Sequence, residues 1–397
     1  MTRALIIGGG IAGTITAIAL HEAGHEPLLF EAHDRGAEGV GAFLTLAVNG
    51  LDALLPLGLK DVVKSTGFDS PRMSIGLGDG TRLAEFSLGG ALPDGTVSQT
   101  VLRSDLYVAL RDEAARRGIH AEYGKRLIGA SQTSSQVTAD FSDGSQATGD
   151  LLVGADGLRS RVRTIIDPDA PAPRYVPTLN TGGFAEGLTL PDEPGVLNMV
   201  FGRKLFFCHV VAPDGRVWWF ANPARKTEPT ASELATLAGE KLRAELLELV
   251  ARDRTPAAEV IRATRDVYPA WPTYDFPTVP VWHRGRMVII GDAAHATSPA
   301  AGQGASMAIE DAVTLGKCLR DVPDVGQALA TYEGLRRERV EAVVAQGKRN
   351  GDDKVIGPVG RVIRDFFIKR AFAKPQTEDP NAFMWNHHID WEARVAA

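Results

Sequence analysis

Residues 4–31 read ALIIGGGIAGTITAIALHEAGHEPLLFE, and this stretch decides the fold. Ala4 to Ile7 is a short apolar run of the kind that forms a buried parallel strand. Gly8-Gly9-Gly10-Ile11-Ala12-Gly13 follows and fits G-x-G-x-x-G. Ile11 to Ala23 has helical character and stops at Gly24, and Pro27 to Phe30 is a second apolar run ending in Glu31. The order strand, turn, helix, strand, acid gives each part a physical task. Gly8 allows the tight turn, Gly10 has no Cβ to hold a pyrophosphate off the backbone, and Gly13 lets the helix pack close to the strand. The helix N-terminus offers phosphates its free N–H groups and the positive end of its dipole. Glu31, 18 residues after Gly13, stands where a carboxylate accepts from ribose hydroxyls. The stretch predicts dinucleotide binding without separating NAD from FAD. The competing readings are an ordinary glycine-rich turn and a secretory leader. Thr2-Arg3 does precede an apolar stretch, but the glycines, His21-Glu22 and the missing A-x-A site argue against a leader.

Working outward, 397 residues suffice for two domains around a large core. Hydrophobic residues make up 44% and charged ones 23%, the balance of a soluble globular chain. A net charge of -6 gives no electrostatic reason to expect nucleic acid or an anionic membrane as partner. No apolar run reaches membrane-spanning length without glycine or charge. Cys208 and Cys318, the only cysteines, lack metal-ligand spacing and read as buried small hydrophobes. We therefore expect a cytoplasmic protein, a monomer or homodimer, with no metal.

Along the chain, a polar glycine-rich loop occupies Ala32 to Gly41, and Ala42 to Leu46 is apolar. Asn49 suits the N-cap of a short helix ending at Gly58. Residues 70–90 alternate about Asp79-Gly80 as a hairpin, and Ser104 suits the N-cap of a helix over Asp105–Arg117. A hairpin about Ser142-Asp143-Gly144 precedes a buried strand from Asp150 to Val153. Prolines 168, 171, 173 and 177 mark a change of composition. Strand-like runs follow at Thr181–Phe184, Leu197–Phe201, Phe206–Val211 and Val217–Phe220, predicting an antiparallel sheet. A capping box at Thr230 and Glu233 opens a helix running to about Arg252. Met287 to Ile290 is another buried strand, followed by helices from Ala305 to Leu319 and Val325 to Asn350. From Val355 to Ala397 an apolar helical stretch leads into a Trp/His-rich end.

Two further clusters repeat the theme of a strand feeding a glycine and an acid. One is Asp150-Leu-Leu-Val-Gly-Ala-Asp-Gly-Leu-Arg-Ser-Arg-Val-Arg163; the other is Arg286-Met-Val-Ile-Ile-Gly-Asp-Ala-Ala-His-Ala-Thr-Ser-Pro-Ala-Ala-Gly-Gln-Gly304. With the first loop they resemble the single-component, class A FAD-dependent aromatic hydroxylases, the 4-hydroxybenzoate, salicylate and urate hydroxylase group. The urate branch looks especially similar over Gly41–Asn49 and Gly302–Gly316. The resemblance implies an α/β fold: a Rossmann-like FAD-binding domain (1–70, 100–167 and 276–350), an inserted antiparallel-sheet substrate domain (71–99 and 168–275) and a C-terminal helical tail (351–397). It implies that Gly8, Gly10, Ala12, Gly13, Glu31 and Ala32 hold the adenosine-diphosphate end of FAD, with the Leu127 backbone at the adenine. Arg103 and Thr45 would meet the middle of the cofactor, and Asp292 the ribityl hydroxyls. Pro299, Gly302, Gln303, Gly304 and Ala305 would line the isoalloxazine ring; Pro299 and Gly302 form the catalytic environment, with no acid or base assigned. Asp156 would sit near the FAD and NAD(P)H pyrophosphates.

The same residues have plainer readings. Arg103 could form a surface ion pair, Asp156 could cap the helix that follows, and His295 could be a buried structural histidine rather than a general base. Arg159, Arg161 and Arg163 read as a solvated charged face, with attraction of NAD(P)H phosphates the alternative. By resemblance, NADPH or NADH reduces FAD, O2 adds at flavin C4a, and the resulting hydroperoxide hydroxylates or epoxidises an electron-rich, usually aromatic, small molecule. The substrate pocket is expected against the sheet of residues 181–220. Phe184, Met199, Phe201, Phe207, Trp218, Trp219 and Phe220 are apolar candidates, only alternate members facing the pocket; Arg203 and His209 are polar ones. A dehydrogenase or reductase on the same fold is the alternative. So is a halogenase, although Trp218-Trp219-Phe220-Ala221-Asn222-Pro223 does not match the W-x-W-x-I-P segment of that group.

Overall fold

A computed structural model describes residues 1–36, 42–276, 278–352, 369–370 and 381–395. The opening stretch forms strand Arg3–Ile7, helix Ile11–Glu22 and strand Glu26–Phe30. Its first strand lies inside a six-stranded sheet ordered His283–Arg284, Met287–Ile289, Leu151–Gly154, Arg3–Ile7, Glu26–Phe30 and His120–Glu122. All neighbours are parallel except the first pair. Both faces are covered, which is why these strands read as unbroken apolar runs rather than alternating ones. Helices Ile11–Glu22 and Gly304–Asp321 pack together, so closely that a Cβ on Gly316 would lie 3.1 Å from the Ala19 Cβ. An antiparallel meander of Leu127–Gln132, Val137–Phe141 and Gln146–Gly149 packs beside the parallel sheet.

A second sheet has seven strands, ordered Trp271–Asp275, Arg174–Ala185, Val217–Pro223, Leu205–Val211, Val196–Phe201, Arg72–Leu77 and Arg82–Ser87. It is antiparallel apart from the parallel join between Val196–Phe201 and Arg72–Leu77. Side chains alternate between two buried faces. Leu205, Phe207, Val217, Trp219 and Ala221 lie under helices Gly239–Val250 and Ala257–Ala263. Phe206, Cys208, Val210 and Trp218, with Phe184, Met199 and Phe220, turn towards Phe43, Phe68, Leu102 and Trp385.

Several local expectations are corrected. The helix near Asn49 is Val48–Leu54 with Ala47 at its N-cap, so Asn49 lies within it and its side chain is used elsewhere. Arg103–Arg116 begins before Ser104, whose hydroxyl donates to Asp105 rather than capping. The Thr230/Glu233 capping box forms, but its helix ends at Thr236; Gly239, at φ +56°, opens a second one. Arg163 is buried rather than solvated. The loop over 37–41 and most of the tail, 353–368, 371–380 and 396–397, fall outside the described residues, so the apolar helical reading from Val355 does too. The described segment 381–395 docks firmly. Arg339 donates to the carbonyls of Phe383 (2.6 Å) and Met384 (3.1 Å), His388 Nδ1 lies 2.6 Å from Asp52 Oδ2, and the Arg320 guanidinium stacks 4.8 Å over Trp391. Among the described residues no helix is long and apolar enough to cross a membrane, and no His, Cys, Asp or Glu cluster forms a metal site.

Candidate active site

Three loops meet at the carboxyl ends of three adjacent parallel strands, the position where open α/β sheets bind ligands. Gly8 follows Ile7, Ala155 follows Gly154 and Ile290 follows Ile289. They are stitched together: Ala155 N–H donates to the Ile7 carbonyl (2.8 Å) and Ile290 N–H to that of Gly154 (3.0 Å). A Cβ on Gly291 would lie 3.2 Å from the Ala12 Cβ, so the third loop also touches the first.

The glycines of the first loop divide by what surrounds them. Gly8 has φ +107°, and a Cβ there would meet the Ala155 carbonyl at 2.3 Å; on Gly13 it would meet the Gly8 carbonyl at 1.8 Å. On Gly10 it would meet nothing within 4 Å. Two glycines are therefore required by the protein's own packing, and the third faces open space. Helix Ile11–Glu22 carries no side-chain cap at that end, leaving N–H groups directed into the space. Glu31 is fixed beside the loop, its two carboxylate oxygens accepting from Gly9 N–H (2.8 Å) and His33 N–H (2.9 Å). Ala32 follows it, and Leu127 is buried at the start of the meander.

Asp156 serves as an anchor for the following helix. Its carboxylate accepts from the Ser160 hydroxyl (2.5 Å) and the N–H groups of Arg161 (2.7 Å) and Val162 (3.1 Å), and burial pushes its pKa up against those bonds. Ser160 caps helix Arg161–Ile166 by accepting from Arg163 N–H. The Arg163 guanidinium then donates to the carbonyls of Leu158 and Ala293, each at 2.9 Å, and stacks 4.3 Å over Phe276, tying the second loop to the third.

In the third loop Gly291 adopts φ +56°, and the exposed Asp292 opens the short helix Asp292–His295. A 3-10 turn, Pro299–Ala301, ends in Gly302 at φ +61°. Helix Gly304–Asp321 starts there without a side-chain cap, so the N–H groups of its first turn, Gly304 and Ala305 among them, remain available. Thr45 lies on strand Phe43–Leu46 with its hydroxyl 3.0 Å from that of Thr100. Arg103 is exposed and its side chain has no ion-pair partner among the described residues.

Beneath the third loop lies a buried charged network that sequence reasoning missed. Asp311 accepts from Gly291 N–H (2.9 Å), Arg336 Nε (2.8 Å) and the close-lying His295 Nε2. Glu310 accepts from Arg336 (2.6 Å), from Arg339 twice (2.8 Å each) and from Asn49 Nδ2 (2.7 Å). Burial pushes both carboxyls up, but the cations more than reverse it and hold both below their ordinary pKa values. His295 is thus engaged structurally. The available signal was the pair Glu310-Asp311 inside the apolar run Met307 to Val313, since acids in such a setting need buried partners.

The sheet above corrects two substrate candidates. Trp219 faces the helical layer, stacked on Phe207 (5.4 Å between ring centres) and donating to Thr264 Oγ1 at 2.7 Å. His209 is opposite Trp219 in register and pairs with Asp192 at 3.0 Å. Both lie on the sheet face opposite to that of Trp218 and Phe220. Arg203 is half exposed in a turn, its backbone N–H donating to Asp253 at 3.1 Å. On the other face Trp218 and Phe220 lie 5.7 and 5.9 Å from Phe43, which precedes Thr45 by two residues. The two tryptophans should therefore separate in mutagenesis. Trp219→Ala is expected to destabilise the protein by about 3–5 kcal/mol in urea melts, and Trp218→Ala to change the order of substrate preference in turnover assays. The reverse pattern would refute the facing assigned here.

Residues 1–347 match the FAD binding domain family, and the chain belongs to the class A FAD-dependent monooxygenases of aromatic compounds. It is 30% identical over 358 residues to the FAD-dependent urate hydroxylase of Klebsiella pneumoniae, spanning 88% of this chain and 90% of that one. Against the 3-amino-4-hydroxybenzoate 2-monooxygenase of Streptomyces cremeus it is 30% identical over 395 residues, spanning 96% and 94%. The structure of K. pneumoniae HpxO complexed with FAD and uric acid superposes with a TM-score of 0.81 at 28% identity, covering 94% of this chain and 93% of that chain.

Proposed function

We propose that FAD lies extended from the Gly8–Gly13 loop to the Pro299–Ala305 segment, is reduced by NADPH or NADH, and oxygenates a small, planar, electron-rich ring held against Trp218 and Phe220. The observation that carries this reading is the open space at Gly10 at one end, with the exposed Asp292 and the uncapped helix Gly304–Asp321 at the other. Glu31 would accept from the adenosine ribose and Asp292 from the ribityl chain. Arg103 would set a cation beside the pyrophosphate, with Thr45 nearby and the Leu127 backbone at the adenine. The N–H groups of Gly304 and Ala305 would face developing negative charge on the ring. Asp156, Ser160 and Arg163 hold the loops in place. Bound flavin supplies the redox chemistry; the protein supplies position, charge and exclusion of water.

The substrate class is read from the sheet face. Its strand positions Phe184, Met199, Phe201, Phe206, Trp218 and Phe220 are apolar, while Asn180 and Asn222 add amides bonded to each other at 2.8 Å. Such a surface favours flat rings through stacking and edge contacts. The test uses purified protein with FAD, NADPH or NADH, 18O2 and a panel of hydroxybenzoates, purines, indoles and quinones. Substrate-stimulated cofactor oxidation with one labelled oxygen in the product is expected. Product formed without label would overturn the oxygenase assignment and favour a dehydrogenase.

A further inference from the structure

We propose that Trp385, delivered by the C-terminal segment, forms an end wall of the substrate cleft and sets how large a ring system the enzyme accepts. The inference rests on the placement of substrate against Trp218 and Phe220 proposed above, and adds to it a residue from a distant part of the chain.

Trp385 closes the short helix Ala382–Trp385, and its neighbours in sequence are anchors. Met384 is 2% exposed and packs into the core around the parallel sheet. Arg339, on helix Val325–Asp352, donates to the Phe383 and Met384 carbonyls. His387 Nε2 lies 4.0 Å from Glu310 Oε2 on helix Gly304–Asp321. His388 reaches Asp52 on helix Val48–Leu54. The residues on both sides of Trp385 are thus held by three separate helices.

The indole itself packs against two apolar clusters at once: the core of the parallel sheet, and the cluster on the Trp218 face of the seven-stranded sheet. Unlike Met384 it stays partly open to solvent. Phe43, Phe184, Met199 and Phe220, the side chains around it in the second cluster, are partly open as well. They belong to the surface read above as the substrate face. A close approach fixes the position: a Cβ on Gly89 would lie 2.8 Å from Trp385 Cβ and 2.5 Å from Val48 Cγ2. Val48 follows the strand that carries Thr45 and precedes Asn49, whose Nδ2 donates to Gln303 Oε1 at 2.9 Å. Trp385 therefore stands where the sheet face meets the segment proposed to line the flavin ring.

An indole clamped from both sides does not swing aside for a longer ligand. A flat ring that ends at Trp385 gains a stacking or edge contact; one with a further fused ring meets it end-on. One apolar contact in a pocket discriminates between substrates by about ten- to a hundredfold.

The experiment compares wild type, Trp385→Phe, Trp385→Ala and Trp218→Ala as holoenzymes. The probes are a hydroxybenzoate, a hydroxyindole and a hydroxylated anthraquinone, with one, two and three rings. It reads kcat/KM for substrate-stimulated NADPH or NADH oxidation, binding through the flavin absorbance where turnover is absent, FAD affinity and the thermal melt. In Trp385→Ala the preference for the anthraquinone over the hydroxybenzoate is expected to rise about ten- to a hundredfold, with FAD affinity unchanged. Trp385→Phe should move the same ratio less and in the same direction, and it carries the test should Trp385→Ala not fold. A ratio unchanged in the Trp385 variants, while Trp218→Ala reorders the panel, overturns the proposal and leaves the substrate reading standing. An equal loss on all three probes also overturns it, since that is what a purely structural role produces. A panel reordered by neither tryptophan would instead refute the substrate reading beneath it.

Discussion

Gly10→Val is expected to give a folded, colourless protein, whereas Gly13→Ala gives one that is badly destabilised before any cofactor is considered. At Gly10 the backbone is extended (φ -72°, ψ -172°), a conformation valine adopts readily, and an added Cβ meets nothing within 4 Å. The apo fold has no reason to change. The isopropyl group would fill the space proposed for the pyrophosphate and displace it from the helix N-terminus. We expect FAD affinity to fall by at least about a hundredfold, the scale of losing two or more charge-assisted hydrogen bonds, with an unchanged apo melting curve. At Gly13 the added methyl would lie 1.8 Å from the Gly8 carbonyl and 3.3 Å from the Ala155 Cβ. Relief requires the helix to move off the sheet, at a cost of about 1–3 kcal/mol or more. Flavin absorbance after purification and urea melts of the apo forms separate the two cases. A yellow Gly10→Val protein with native affinity would show that the open space is not the phosphate site.

Arg336→Met should be the most damaging single change in the second half of the chain. Arg336 is 1% exposed and bridges Glu310 and Asp311, both fully buried. Methionine retains the packing volume but leaves the carboxylates under-compensated, and breaking such buried pairs costs about 3–5 kcal/mol, a large share of an ordinary domain's stability. The effect reaches the site because Asp311 also holds Gly291 N–H, the residue before Asp292. The pH dependence has a definite sign. Both carboxyls are held below their unfolded pKa values, so their contribution is complete above about pH 4–5 and withdrawn as pH falls through the folded values. The stability gap between wild type and Arg336→Met should therefore be widest at neutral pH and shrink in acid. Urea melts at pH 7 and pH 4 measure it; a gap that is absent at pH 7, or that widens in acid, would refute the role given to the network.

The parts legible in the sequence were those in which a local pattern and its task coincide. Gly8 to Glu31 carries strand, turn, helix and acid in one continuous stretch, and the Gly154–Asp156 and Gly291–Asp292 clusters repeat the strand-to-loop transition. The network around Glu310 was not legible in that way. Asn49 resembled a helix cap, and Arg336 and Arg339 sit in a helix with many charges, where position along the chain does not reveal which face is covered. Trp218 and Trp219 pose a similar difficulty. Alternation says that they face opposite ways, but only the helices over Trp219 decide which of the two turns inward. Arg163 looked like one of three solvated arginines because its acceptor at Ala293 lies 130 residues away.

The central place of strand Arg3–Ile7 has a consequence for synthesis on the ribosome. The first strand made is flanked by Leu151–Gly154, and that strand in turn by Met287–Ile289. At roughly 5–20 residues per second, the Gly8–Gly13 loop waits on the order of 15–60 seconds for Asp292 to be added. In the proposed placement of FAD, the cofactor's two ends therefore have binding partners that are born far apart in time. A nascent chain arrested before residue 290 would display the glycine loop without the partner strand and loop that complete the cleft, and on the proposed placement of FAD flavin capture would be one of the last events in maturation rather than a seed for it.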